Sequence, residues 1–167
     1  MFGTLKVKLA AAAALLLSLA APCFAEAPQM SIADTVIQVP LADGVTMDDA
    51  VASMKLRANA LNFKLVAHLP LYKELQSMGV DSQRIEIFQF CDARIAKAMI
   101  DFDPNFAAYL PCRITLMEDA EGHPLLVTMK LDLYINSANL PPELHAQAVK
   151  VRDAIASIMQ AGAEGDL

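Results

Sequence analysis

The chain has 167 residues, 56% of them hydrophobic, with 19 acidic against 13 basic side chains and a net charge of −6. That size accommodates one domain with one core rather than two. An acidic balance without a basic cluster excludes phosphate-backbone binding, so no nucleic-acid partner is expected.

In chain order, Lys6 and Lys8 precede an apolar run from Leu9 to Ala21, followed by Pro22-Cys23-Phe24-Ala25-Glu26. A short basic segment, an apolar segment too brief to span a bilayer and a small residue at the cut are the parts of a secretory leader. Residues 1–25 are therefore read as a signal peptide cleaved after Ala25. Lipid attachment at Cys23 is disfavoured, because Pro22 occupies the position that needs a small residue. No later segment approaches transmembrane length, so no membrane span is expected after cleavage, and the protein is expected to be periplasmic or secreted. Loss of Lys6 and Lys8 with the leader deepens the net charge from −6 to −8 on the 142 residues that remain. That charge favours solubility and basic or cationic partners.

Residues 26–32 read as a flexible segment, and Thr35 to Val39 as a first strand closed by Pro40. Thr46 stands three residues before Asp49, a capping-box spacing, and Met47, Val51, Met54, Ala58 and Leu61 follow at helical intervals. Phe63 to Leu69 is a second strand, and Pro70 opens a short helical connection stopped by Gly79. A third strand, Arg84 to Cys91, is dense in Ile85, Ile87, Phe88 and Phe90. Asp92 then caps a helix whose buried stripe is Ile95, Ala98, Met99 and Phe102, broken by Pro104.

Cys112, Ile114 and Leu116 alternate with Arg113, Thr115 and Met117, and Glu121-Gly122 marks a turn. The returning strand is read with Leu125, Val127, Met129 and Leu131 inward and Thr128, Lys130 and Asp132 outward. Pro141 and Pro142 begin a last helix of about four turns, with Leu144, Ala148, Val151, Ile155 and Ile158 as its stripe. The pattern predicts an α+β domain, a single mostly antiparallel sheet of about five strands with helices packed on one face.

The stretch Phe88-Gln89-Phe90-Cys91-Asp92-Ala93-Arg94-Ile95-Ala96, with Tyr109-Leu110-Pro111-Cys112-Arg113-Ile114, resembles the domain of unknown function 302 family. The resemblance rests on a strand ending in cysteine, a helix, a second cysteine after proline and then a hairpin, and covers residues 33–135. It implies a small α/β protein with a curved antiparallel sheet and a tendency to form homodimers, and no established activity. Family members usually carry Asn-Pro after the first cysteine, whereas this chain has Asp92-Ala93, so its turn chemistry differs there. Residues 136–167, a C-terminal helix and tail, lie beyond the region of resemblance.

With Cys23 removed, Cys91 and Cys112 remain, 20 residues apart between them. If their strands are antiparallel neighbours, the end of one lies beside the start of the other, and three readings stay open: two buried small hydrophobes, a disulfide, or a reactive thiol pair. A helix start after Cys91 would favour a thiolate, and Asp92 would oppose it. His68, His123 and His145 show no metal-ligand spacing, so no metal site is assigned, and the cofactor is left unknown. His68, at a strand end, is the candidate axial donor for a non-covalently held haem or similar flat ligand. The pairs Asp48-Asp49, Asp101-Asp103 and Glu118-Asp119 read as caps and solvated charges.

His68, Asp92 and Arg113 are the candidate ligand-facing residues, beside the thiols Cys91 and Cys112. Two functions follow from these features: an exported accessory protein binding a small apolar ligand or a partner protein, or a thiol-based redox carrier or enzyme using Cys91 and Cys112.

Overall fold

The computed structural model describes residues 30–166; the expected leader, and residues 26–29 of the expected flexible segment, lie outside the described residues. Ser31 caps a 3-10 turn at Ile32–Thr35, so the chain is already folded where flexibility was expected to end. Five strands follow, β1 (Val36–Pro40), β2 (Lys64–Leu69), β3 (Ile85–Cys91), β4 (Cys112–Glu118) and β5 (Pro124–Met129). They form one sheet in the order β1-β5-β4-β3-β2, antiparallel at every pairing. The helices are α1 (Met47–Ala60), α2 (Leu71–Ser77), α3 (Ala93–Phe102), α4 (Leu131–Ser137) and α5 (Pro142–Glu164), with a further 3-10 turn at Pro104–Tyr109.

The caps are those the sequence specifies. Thr46 Oγ1 accepts the Asp49 N–H and Asp49 Oδ2 accepts the Thr46 N–H, each at 3.1 Å, which satisfies free amides at the start of α1. Asp92 Oδ1 accepts the Arg94 N–H at 3.0 Å and starts α3 directly after Cys91. Gly165, at φ 66°, ends α5 in the left-handed region that glycine adopts without a Cβ penalty.

One face of the sheet carries the core. Phe88, Phe90, Ile114, Leu116 and Leu126 are fully buried there against Met54 and Ala58 of α1 and Ile155 and Ile158 of α5. At about 1.5–3 kcal/mol for each large apolar side chain withdrawn from water, this face supplies the main stabilisation. The α5 helix is longer than the four turns expected, at 23 residues, and its second half is buried from Ala154 to Ala163 except at the outward positions.

Three expectations about facing are corrected. On β5 the inward residues are Leu126 and Thr128, not Leu125, Val127 and Met129, because the register pairs Leu116 with Leu126 and Ile114 with Thr128. Burial of Thr128 is tolerated because its Oγ1 donates to the Arg113 carbonyl at 2.6 Å. Leu131 does not extend that strand but begins α4. Phe102, expected on the buried stripe of α3, is 45% exposed, since α3 turns its Ile95 and Met99 edge inward and ends there.

Candidate functional site

The end of β3 and the start of β4 are paired side by side in the sheet, and residues of α3, the 3-10 turn after it, α4 and α5 gather there. Between these elements lies a cavity of ≈ 90 Å³. Phe63 and Phe90 form its floor on the sheet side, and Ile95 and Met99 of α3 form one wall. Phe106 and Tyr109 from the 3-10 turn, Tyr134 and Ile135 from α4, and Ala148 and Val151 from α5 complete it. The rings of Tyr109 and Tyr134 meet at 4.7 Å between centroids and 51° between planes, which ties two otherwise separate segments together. At roughly 30 Å³ per water molecule, the space takes about three waters or one small hydrocarbon group, and an apolar lining favours the hydrocarbon.

Both cysteines and Asp92 line this cavity. Their strands are antiparallel neighbours, and the register sets Phe90, not Cys91, opposite Cys112. Cys91 is one residue out of step, and both are free thiols. Cys112 is buried, and burial above all, then the proximity of Cys91, pushes its thiol up to about 11. The Cys91 thiol is also raised, by burial first and the Asp92 carboxylate second, so the start of α3 does not yield the thiolate its dipole would favour. Neither sulfur is the activated nucleophile that a thiol enzyme needs.

His68 and Arg113 do not line the cavity. Arg113 is exposed on the opposite face of β4 from Cys112, as strand alternation requires. His68 sits on the edge strand β2, its ring stacked on Phe88 with centroids 4.4 Å apart and planes 9° apart. Its Nε2 lies 2.5 Å from Glu86 Oε2, so that nitrogen is already engaged and is not free to be the axial donor expected for a haem. Glu86, 4% exposed, is also met by Arg84 Nε at 2.5 Å, and Arg84 reaches Asp48 at the start of α1 at 2.7 Å. This chain of charges fastens β2, β3 and α1 together, and it gives a buried carboxylate the two partners it requires.

Asp119, Glu121 and His123, whose ligand atoms lie within 4.8 Å of one another, form the turn of the β4–β5 hairpin. There Asp119 Oδ1 accepts the N–H groups of Glu121 and His123 at 3.0 and 2.8 Å, which accounts for the grouping as turn chemistry. A broader groove runs between the edge strand β1 and α5, past Ile37 and Met159, with Arg152 paired to Asp132 at 2.9 Å and Asp153 at 2.7 Å.

Of the candidate residues read from the sequence, Cys91, Asp92 and Cys112 line the cavity, and its aromatic wall was not among them. Phe106 and Tyr109 lie in a stretch broken by Pro104, and Tyr134 in one read as following a strand. The usable signal was the Asp103-Pro104 pair, which caps and opens a turn in which Phe106, Tyr109 and Leu110 share a side at offsets of three and four.

The family model for Domain of unknown function DUF302 matches residues 37–162. That match extends past residue 135 and takes in most of α5. The crystal structure of an uncharacterized conserved DUF302 protein from Bacillus stearothermophilus is similar in fold, with a TM-score of 0.63 at 17% sequence identity. The alignment covers 76% of this chain and 97% of that one. No curated protein matches the chain.

Proposed function

The chain belongs to the DUF302 family by that match, and we propose that it is an exported accessory module that binds a small ligand through an apolar body in the cavity beside Cys91 and Cys112. The observation that carries this reading is the cavity itself: a protein interior is packed to crystal density, yet aromatic side chains from the sheet, the 3-10 turn and α4 surround a space of ≈ 90 Å³. Sites for small molecules are concave and largely apolar, and the lining of this cavity is apolar almost throughout. Export rests on the basic and apolar pattern of residues 1–25.

One experiment addresses both parts. Native mass spectrometry of the protein drawn from the periplasm should show a chain shortened by residues 1–25 that carries a small-molecule adduct. Ala148→Phe, which fills the cavity from α5, should lose the adduct and keep its thermal transition. A full-length chain would sink export, and a wild-type protein as bare as the filled variant would sink ligand binding.

A further inference from the structure

Independently of the cavity, we infer that the groove between β1 and α5 docks an extended segment of a partner protein, apolar at alternate positions and basic at both ends, which joins the sheet beside β1. Among the described residues β1 is an outer strand with no neighbour beyond it. The Thr35 carbonyl accepts the Lys130 N–H and the Leu41 N–H donates to the Pro124 carbonyl. In the register with β5, Thr35, Ile37, Val39 and Leu41 therefore bond to the sheet. The backbone groups of Val36 and Gln38, and the Pro40 carbonyl, point outward at the open edge. Backbone polar groups require partners once water is excluded, and an added strand supplies them.

The two edges of the sheet differ. At the far edge, β2 carries Lys64 and a register irregularity between Leu65 and Ala67, devices that keep an edge from pairing. In β1, Val36–Pro40, there is no charged residue, and Pro40 withholds a single N–H. Its inner side is also incompletely covered: Ile37 is 40% exposed although it stands opposite the inward Thr128. Beside it the groove is lined by Val39, Met129, Leu131, Ile155 and Met159. Alternate side chains of an added strand would enter that apolar channel while the intervening ones face away.

Charge complementarity specifies the two ends. At one end of the groove Asp132 and Asp153 share the Arg152 guanidinium, at 2.9 and 2.7 Å, which leaves one negative charge uncompensated. Near the other end, where the Ala42 N–H donates to the Ala163 carbonyl, Glu164 is met by the neutral Gln160 amide at 3.1 Å. A lysine or arginine at each end of the segment suits this arrangement, and the net charge of −6 draws a basic partner toward the protein. A second copy of the chain does not suit it, because pairing β1 with its own equivalent would bring Asp132, Asp153 and Glu164 toward the same carboxylates of the other copy.

The probe is a synthetic peptide, acetyl-Lys-Val-Thr-Val-Thr-Val-Lys-amide, with a counterpart in which both lysines are glutamate. Each is titrated by calorimetry against wild type and two variants whose folding a thermal melt verifies. Gln38→Pro removes an outward N–H and leaves the bonds to β5 in place. Ala156→Phe fills the groove from an exposed position on α5. The lysine peptide should bind wild type at least about fivefold more tightly than the glutamate peptide, by a margin that shrinks as salt is raised. Each substitution should weaken the lysine peptide by at least about fivefold. Equal binding of the two peptides overturns the basic partner, and binding unchanged by Gln38→Pro overturns strand addition. Should Gln38→Pro not fold, Ala156→Phe carries the test, and unchanged binding there overturns the groove. If neither peptide binds wild type, the docking site falls. A dimer in sedimentation that Ala156→Phe dissolves gives the groove to a second copy and overturns the partner.

Discussion

Cys112 opens β4 with 7% of its surface exposed, packed in the cluster that holds Phe90, Ile114 and Met159. Burial raises its thiol from an ordinary 9.0 to about 11. The consequence for stability follows from proton counting. Between those two values an unfolded thiol ionises while the folded one keeps its proton, so the unfolded state binds fewer protons and stability falls as pH rises. The loss is on the order of 2 kcal/mol by the upper end of the window. Denaturant melts across that range should show a steeper decline for wild type than for Cys112→Ala, which has no thiol to titrate. At neutral pH the same substitution should destabilise by about 1 to 3 kcal/mol through lost packing. Parallel pH profiles for the two proteins would contradict a buried thiol. The cysteine landmarks were legible in the sequence, but their state was not, because a one-residue offset in strand register decides which side chains face each other.

At the scale of elements, α1 and α5 cross at Gly162. A Cβ there would stand 2.6 Å from Met54 Cγ and 3.0 Å from Leu126 Cδ1, closer than side chains pack, and 3.4 Å from the Ala50 carbonyl oxygen. Gly162→Ala should therefore destabilise by about 1 to 3 kcal/mol, even though alanine favours a helix over glycine by about 1 kcal/mol. An exposed helix position would give the opposite sign, so the midpoint of urea unfolding decides the matter. The helices and their caps were readable at Thr46, Asp92 and Pro142, where local chemistry fixes the outcome. The facing of β5 was not, since Leu125, Val127 and Met129 are as apolar as a core face and are only half-buried. Pairing with β4 chooses between the two phases, and period-two alternation by itself cannot when both faces are apolar. Glu86 is the inverse case, a charge at an inward position that the pattern of β3 gave no reason to expect.

For the molecule as a whole, α5 decides whether there is a core at all. Ile155, Ile158 and Met159 are at most 2% exposed and lie against the sheet residues and α1. Three such side chains contribute roughly 5 to 9 kcal/mol at the usual rate for full burial, which is comparable to the entire net stability of a domain. A chain cut after residue 135, at the limit of the first resemblance, should fail to fold. Circular dichroism with a cooperative thermal transition from that fragment would refute this. The sequence by itself determined the acidic balance, the α+β class, the family and the residues that start α1, α3 and α5, because composition, periodicity and capping act within a few positions of the chain. Only the tertiary structure decided that Cys91, Asp92 and Cys112 share a cavity with Tyr109 and Tyr134, that His68 answers to Glu86 instead, and that the last helix completes the core. Those juxtapositions depend on strand register and on helix packing across long stretches of chain, and no local pattern encodes either.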